Sequence, residues 1–141
     1  MYRHSSEVLP DDLRSMAVGV DPTAPGTGSH LNFDQVLRRC GYAWMALLHD
    51  LDVLGTGVIV PRVEVDYARE VGVGDLHVDV TVLSLGRTSF RLAMRVEQHG
   101  AQVARAEAVL VAFDYATRTP RPLTGAERTA LAAHLEEPAE G

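Results

Sequence analysis

Residues 33–51 carry one long stripe of large apolar side chains, and the period of the chain changes immediately after them. Phe33, Val36, Leu37, Cys40, Trp44, Leu47, Leu48 and Leu51 recur at the three- and four-residue spacing of a single helical face. Asn32 stands at the N-cap position and Gln35 three residues on, the spacing of a capping box. Asp34 falls in the first turn, where a carboxylate meets the positive end of the helix dipole. Gly41 lowers helix propensity by about 1 kcal/mol relative to Ala, and so marks a place where another backbone comes close. A helix this apolar must be covered, and the segments that follow it are built to do so.

After Gly55-Thr-Gly57 the apolar residues alternate. Val58, Val60, Val63, Val65 and Tyr67 predict a strand, with Pro61 inside it pointing to an edge position or a bulge. Leu76, Val78, Val80 and Val82 alternate with His77, Asp79 and Thr81; Phe90, Leu92, Met94 and Val96 alternate with Arg91, Ala93, Arg95 and Glu97. Gly86 and His99-Gly100 break the chain between strands, and Gln102 to Tyr115 is the last, so 75–115 reads as a three-strand antiparallel meander. Thr124-Gly-Ala-Glu127 is a second capping box, opening a short helix. Upstream, Met16, Val18 and Val20 predict a first strand within residues 14–20, and Asp21 to Ser29 is a loop dense in Gly and Pro. The order β-α-β-β-β-β-α predicts an α+β fold with one antiparallel sheet wrapped around the long helix. Residues 1–13 are polar and aperiodic and read as an N-terminal arm, 14–136 as one domain, and 137–141 as an acidic tail.

Composition narrows the function. At about 100–200 residues per domain, 141 residues make one core. A single cysteine excludes a disulfide framework and suits a reducing compartment. A net charge of −6 argues against nucleic acid as partner. No signal-like segment opens the chain, and no stretch reaches the roughly 18 apolar residues of a membrane span. The expectation is a soluble, cytoplasmic protein with neither membrane nor nucleic-acid partners.

Five stretches, in order, resemble the hotdog-fold acyl-CoA thioesterases, in the branch that includes 4-hydroxybenzoyl-CoA thioesterase. Gly28-Ser-His-Leu-Asn32 is similar to that family's G-H-V-N segment at the start of the central helix. Val63-Glu-Val-Asp-Tyr-Ala-Arg69, leading to Gly74-Asp75, resembles its second strand and Gly-Asp turn. Leu83-Ser-Leu-Gly-Arg-Thr-Ser-Phe90 is similar to its V-x-x-L-G-R-S-S-F hairpin. Gln102 to Val111 looks like its last strand, and Thr119-Pro-Arg-Pro-Leu123 like its exit. The resemblance covers roughly residues 14–130 and implies a hotdog fold, a thioester of coenzyme A or of acyl carrier protein as substrate, no further cofactor, and a site shared between subunits of a homodimer or homotetramer.

Thioester hydrolysis needs a base or carboxylate nucleophile and donors for the oxygen that turns negative. The free N–H groups at a helix start are such donors, and the resemblance implies that the carbonyl sits at the helix beginning near Asn32. It also implies that Asp21 is the carboxylate, although Asp21 lies nine residues before His30, further than in the similar proteins. Asp21-Pro22 equally starts an ordinary turn. Asp34 is the competing carboxylate, beside its reading as a dipole partner. His30 would orient the carboxylate or bind substrate, and Asn32 would hold water or simply cap the helix. Gly28, Ser29, Phe33, Tyr67, Arg87 and Ser89 are the positions placed along the substrate, with the strand arginines available to coenzyme phosphates. Cys40 lies in the apolar stripe and reads as a buried thiol. No histidine pair has metal-ligand spacing, and neither a G-x-S-x-G elbow nor a P-loop occurs. Two other activities of the same fold remain open: an acyl-thioester hydratase or dehydratase using His30 with Asp34, and a non-catalytic acyl-thioester binder.

Overall fold

The computed structural model describes residues 1–13, 30–52 and 57–136. Helix α1 spans Phe33–Asp50 and buries Val36, Cys40, Ala43, Trp44, Leu47 and Leu48, the stripe expected from the sequence. Around it runs one antiparallel sheet of β1 (Tyr2–Val8), β2 (Val58–Tyr67), β3 (Gly74–Leu85), β4 (Ser89–Gln98) and β5 (Ala101–Asp114), in the order β1-β3-β4-β5-β2. A two-residue β6 (Thr119–Pro120) pairs with β5, and α2 (Gly125–Ala132) follows. The meander β3-β4-β5 lies where the alternation put it. Its inner positions, among them Leu76, Val78, Val80, Phe90, Leu92, Met94 and Leu110, join the helix stripe in one core.

The N-terminal residues correct the sequence reading. They are not an arm: β1 pairs with β3 from Tyr2 opposite Val80 to Val8 opposite Gly74. Its inward positions Tyr2, His4 and Ser6 are only half-buried, and Val8 alone is sealed, so the strand carries no apolar alternation to read. Backbone pairing and a two-pronged bond from Arg3 to Asp79, at 2.7 and 2.9 Å, hold it instead. The strand expected at 14–20, the loop carrying Asp21, Gly28 and Ser29, and the acidic tail 137–141 lie outside the described residues.

Three local signals act as chemistry dictates. Pro61 sits in edge strand β2 at a register shift between Ile59 and Arg62. His99 and Gly100 both have positive φ, 53° and 77°, making the two-residue turn that joins β4 to β5 with the twist a hairpin needs. At α2 the capping box is complete, with Thr124 Oγ1 accepting from Glu127 N and Glu127 accepting from Thr124 N. The chain after α2 then bonds across Val82 of β3 through His134 O and Glu136 N.

Candidate active site

The start of α1 departs from the expected cap. Asn32 has the extended backbone of an N-cap, φ −63° and ψ 153°, but its side chain makes no cap bond. Its carbonyl oxygen Oδ1 is buried and lacks a partner among the described residues, and the capping box with Gln35 does not form. The helix start is positioned from outside instead. Leu31 N donates to Val71 O at 2.7 Å, and the Tyr67 hydroxyl donates to Phe33 O at 2.6 Å. Two elements therefore meet at this point, the end of β2 and the segment leading to β3.

Between them opens a pocket of about 320 Å³ bounded by His30, Leu31, Phe33 and Val36 on one side and Tyr67 to Val71 on the other. Its walls are mainly apolar. Burial, and after it the neighbouring Cys40 and Asp34, holds the Tyr67 hydroxyl above its ordinary range, so it stays protonated and keeps donating. His30 Nδ1 lies 3.6 Å from Glu70 Oε1, an ion-pair distance when the ring is protonated. Glu70 supplies the only carboxylate side chain among the described residues that line the pocket, and its side chain is 80% exposed.

Of the positions singled out in the sequence, His30, Phe33 and Tyr67 come together here. Asp34 is exposed in the first turn and does not line the pocket. Arg87 and Ser89 lie elsewhere in the same chain. Tyr67 is opposite Ala104 of β5, and Ser89 is opposite Val111, seven residues further along that strand. At about 3.3 Å per residue that is roughly 23 Å away. Cys40 is fully buried, with burial pushing its thiol up to about 12, which rules it out as a thiolate nucleophile. No group of three or more His, Cys, Asp or Glu side chains among the described residues is arranged to hold a metal ion. Glu70 escaped the sequence reading because a charged residue after a strand end has no periodicity; only its place between Tyr67 and the Gly72–Gly74 turn hinted at a role.

A single long helix wrapped by one antiparallel sheet, with a pocket at the helix start, defines the hotdog fold. The chain belongs to the thioesterase-like superfamily, whose family model matches residues 20–136. Solved structures agree over nearly the whole length. A thioesterase from Thermus thermophilus, complexed with coenzyme A and Zn, is 29% identical with a TM-score of 0.75, covering 96% of this chain and 95% of that one. A predicted thioesterase from Bacillus stearothermophilus is 21% identical (TM-score 0.74, covering 97% and 99%). A 1,4-dihydroxy-2-naphthoyl-CoA thioesterase from Synechocystis is 19% identical (TM-score 0.72, covering 93% and 95%), a likeness of fold. Comparison with curated proteins gives no match. The protein is a thioester hydrolase.

Proposed function

We propose that this chain hydrolyses an acyl thioester of coenzyme A or of acyl carrier protein in the pocket at the start of α1. The observation that carries the reading is that pocket: one mainly apolar space at the first turn of α1, lined by His30, Leu31, Phe33 and Tyr67. The thioester carbonyl lies at the N-terminal turn of α1, where the helix end stabilises the oxyanion. Asp21, nine residues before His30 in the sequence, is the base or nucleophile; His30 orients it. Asn32, at the N-cap position of that turn, is assigned to the attacking water. No other cofactor takes part. The similar thioesterase complexed with coenzyme A supports the choice of substrate class.

The working unit is a homodimer formed along β2. Among the described residues that strand is an edge of the sheet, paired only with β5, and it exposes Val60 and Tyr67. An antiparallel pairing of β2 with its copy reverses the partner's sheet. It therefore brings the partner's Arg87 and the partner's Ser89 to the end of the molecule where Tyr67 sits. A 320 Å³ pocket is at the small end of ligand sites, and completion by a second subunit supplies the walls a pantetheine arm needs.

The test is thiol release from a panel of acyl-CoAs, followed with a thiol reagent. Release from at least one chain is expected, falling by about 10²–10⁴-fold in Asp21→Asn. Asp34→Asn should retain activity. No release from any acyl chain would overturn the reading, and loss in Asp34→Asn or Glu70→Gln alone would move the carboxylate.

A further inference from the structure

The inner face of β4 runs Phe90, Leu92, Met94, Val96, Gln98, and the last member breaks the pattern. Gln98 is 4% exposed, a polar side chain where the alternation calls for an apolar one. Burying a primary amide is costly unless its donor and acceptor are both used. Here both are used, and on one residue. Gln98 Oε1 accepts from Gly72 N at 2.9 Å, and Gln98 Nε2 donates to Gly72 O at 2.8 Å. The side chain thus copies a strand's backbone, offering Gly72 a pair of bonds in place of a neighbouring strand.

Gly72 is next to Val71, whose carbonyl accepts from Leu31 N at 2.7 Å immediately before α1. The same stretch is held at its other end by Val103 O, which accepts from Ala68 N at 2.9 Å and Arg69 N at 3.1 Å. Beyond Gly72, the ring of His99 reaches Val73 O at 3.2 Å. Residues 68–73, which carry one wall of the pocket, are therefore fixed by the hairpin end of β4 and β5. Glu70 and its neighbours have no core side chain of their own to anchor them except Val71.

We propose that Gln98 is a positioning residue for thioester hydrolysis: by clamping Gly72 it sets the wall at Tyr67–Val71 and, through the Val71–Leu31 bond, the placement of the α1 start. This rests on the pocket being the site of hydrolysis. Gln98 touches no substrate; it acts through one peptide unit. A shift of about 1 Å in groups that aim at a reacting carbonyl lowers turnover on the order of a hundredfold.

Two variants test it. Gln98→Met keeps length and volume but removes both bonds, and so preserves the core packing. Gln98→Glu keeps the acceptor, but its ionised form turns a second acceptor toward Gly72 O. When protonated, it restores one donor and one acceptor in the geometry of the amide. In Gln98→Met, kcat should fall between tenfold and a hundredfold with KM changed less, and the Leu31 amide should exchange with solvent at least tenfold faster relative to Val80 in the sheet centre. In Gln98→Glu, the ratio of its kcat to that of the wild type should rise as pH falls and the introduced carboxyl takes up its proton; the charged and titratable groups nearest the stretch it holds are His99, at Val73 O, and the His30–Glu70 pair. Folded variants whose kcat and Leu31 exchange stay within about twofold of the wild type overturn the proposal, as does faster Leu31 exchange with kcat unchanged. If the wild type hydrolyses no thioester, the function proposed for the pocket fails, and with it the catalytic role of Gln98. The exchange measurement would then report the clamp by itself.

Discussion

Gly74 and Gly72 stand two residues apart at the entry to β3, yet the structure gives them opposite tolerance for a side chain. Gly74 has φ +129°, and a Cβ there would lie 2.8 Å from the His99 ring. Gly72 has ordinary φ and nothing within 4 Å of a Cβ. Gly74→Ala should therefore cost about 1–3 kcal/mol in urea unfolding. Gly72→Ala should be neutral or stabilise by about 0.4–1 kcal/mol by restricting the unfolded chain. Asn32 makes a second residue-scale test. A working N-cap loses about 1 kcal/mol on replacement by Ala; Asn32 makes no cap bond and buries an unpaired oxygen, so Asn32→Ala should change stability by less than about 0.5 kcal/mol while lowering the rate of hydrolysis. Comparison of kcat with the unfolding midpoint separates the two effects. At this scale the sequence was legible where one residue's chemistry is enough, as with Cys40 in the apolar stripe. It was not legible for the surroundings of Asn32 or Glu70, which depend on what other elements bring next to them.

Elements with strong local rules formed where the sequence placed them, and α2 shows how firmly. Besides the Thr124–Glu127 capping box, Arg121 grips Glu127 with two bonds of 2.7 and 2.8 Å, and both side chains are largely covered, 18% and 11% exposed. Arg121 first, then the backbone of Thr124, hold the Glu127 carboxyl at about 2, far below the usual 4.5. A carboxylate depressed in the folded state stabilises above its unfolded value, and that contribution is lost as the proton is taken up. Stability should thus fall by about 2 kcal/mol as pH drops from about 4.5 to about 2, a slope that Glu127→Gln removes. Thermal unfolding across that range measures it. β1 is the contrary case. Its half-wet inner face carries no periodic signal, and the strand exists because its backbone meets β3, and its Arg3 meets Asp79, across roughly seventy residues of chain.

At the level of the molecule, the sheet closes around α1 but, among the described residues, ends in two edges, β1 and β2. If β2 pairs with a second copy, sedimentation should give a mass near twice the 15.3 kDa chain. Specific activity should fall on dilution as dimers separate, because the partner's residues leave the pocket. A monomer with full activity would refute a shared site. The sequence by itself determined the architecture: one amphipathic helix, a meander and a capped terminal helix follow from period, turn residues and caps, all of which act within a few neighbours. The tertiary structure alone decided that β1 joins the sheet, that Asn32 is left without a cap bond, and that Gln98 holds Gly72 beside the pocket. Those outcomes rest on hydrogen bonds between residues distant along the chain, and spacing in a sequence carries no record of them.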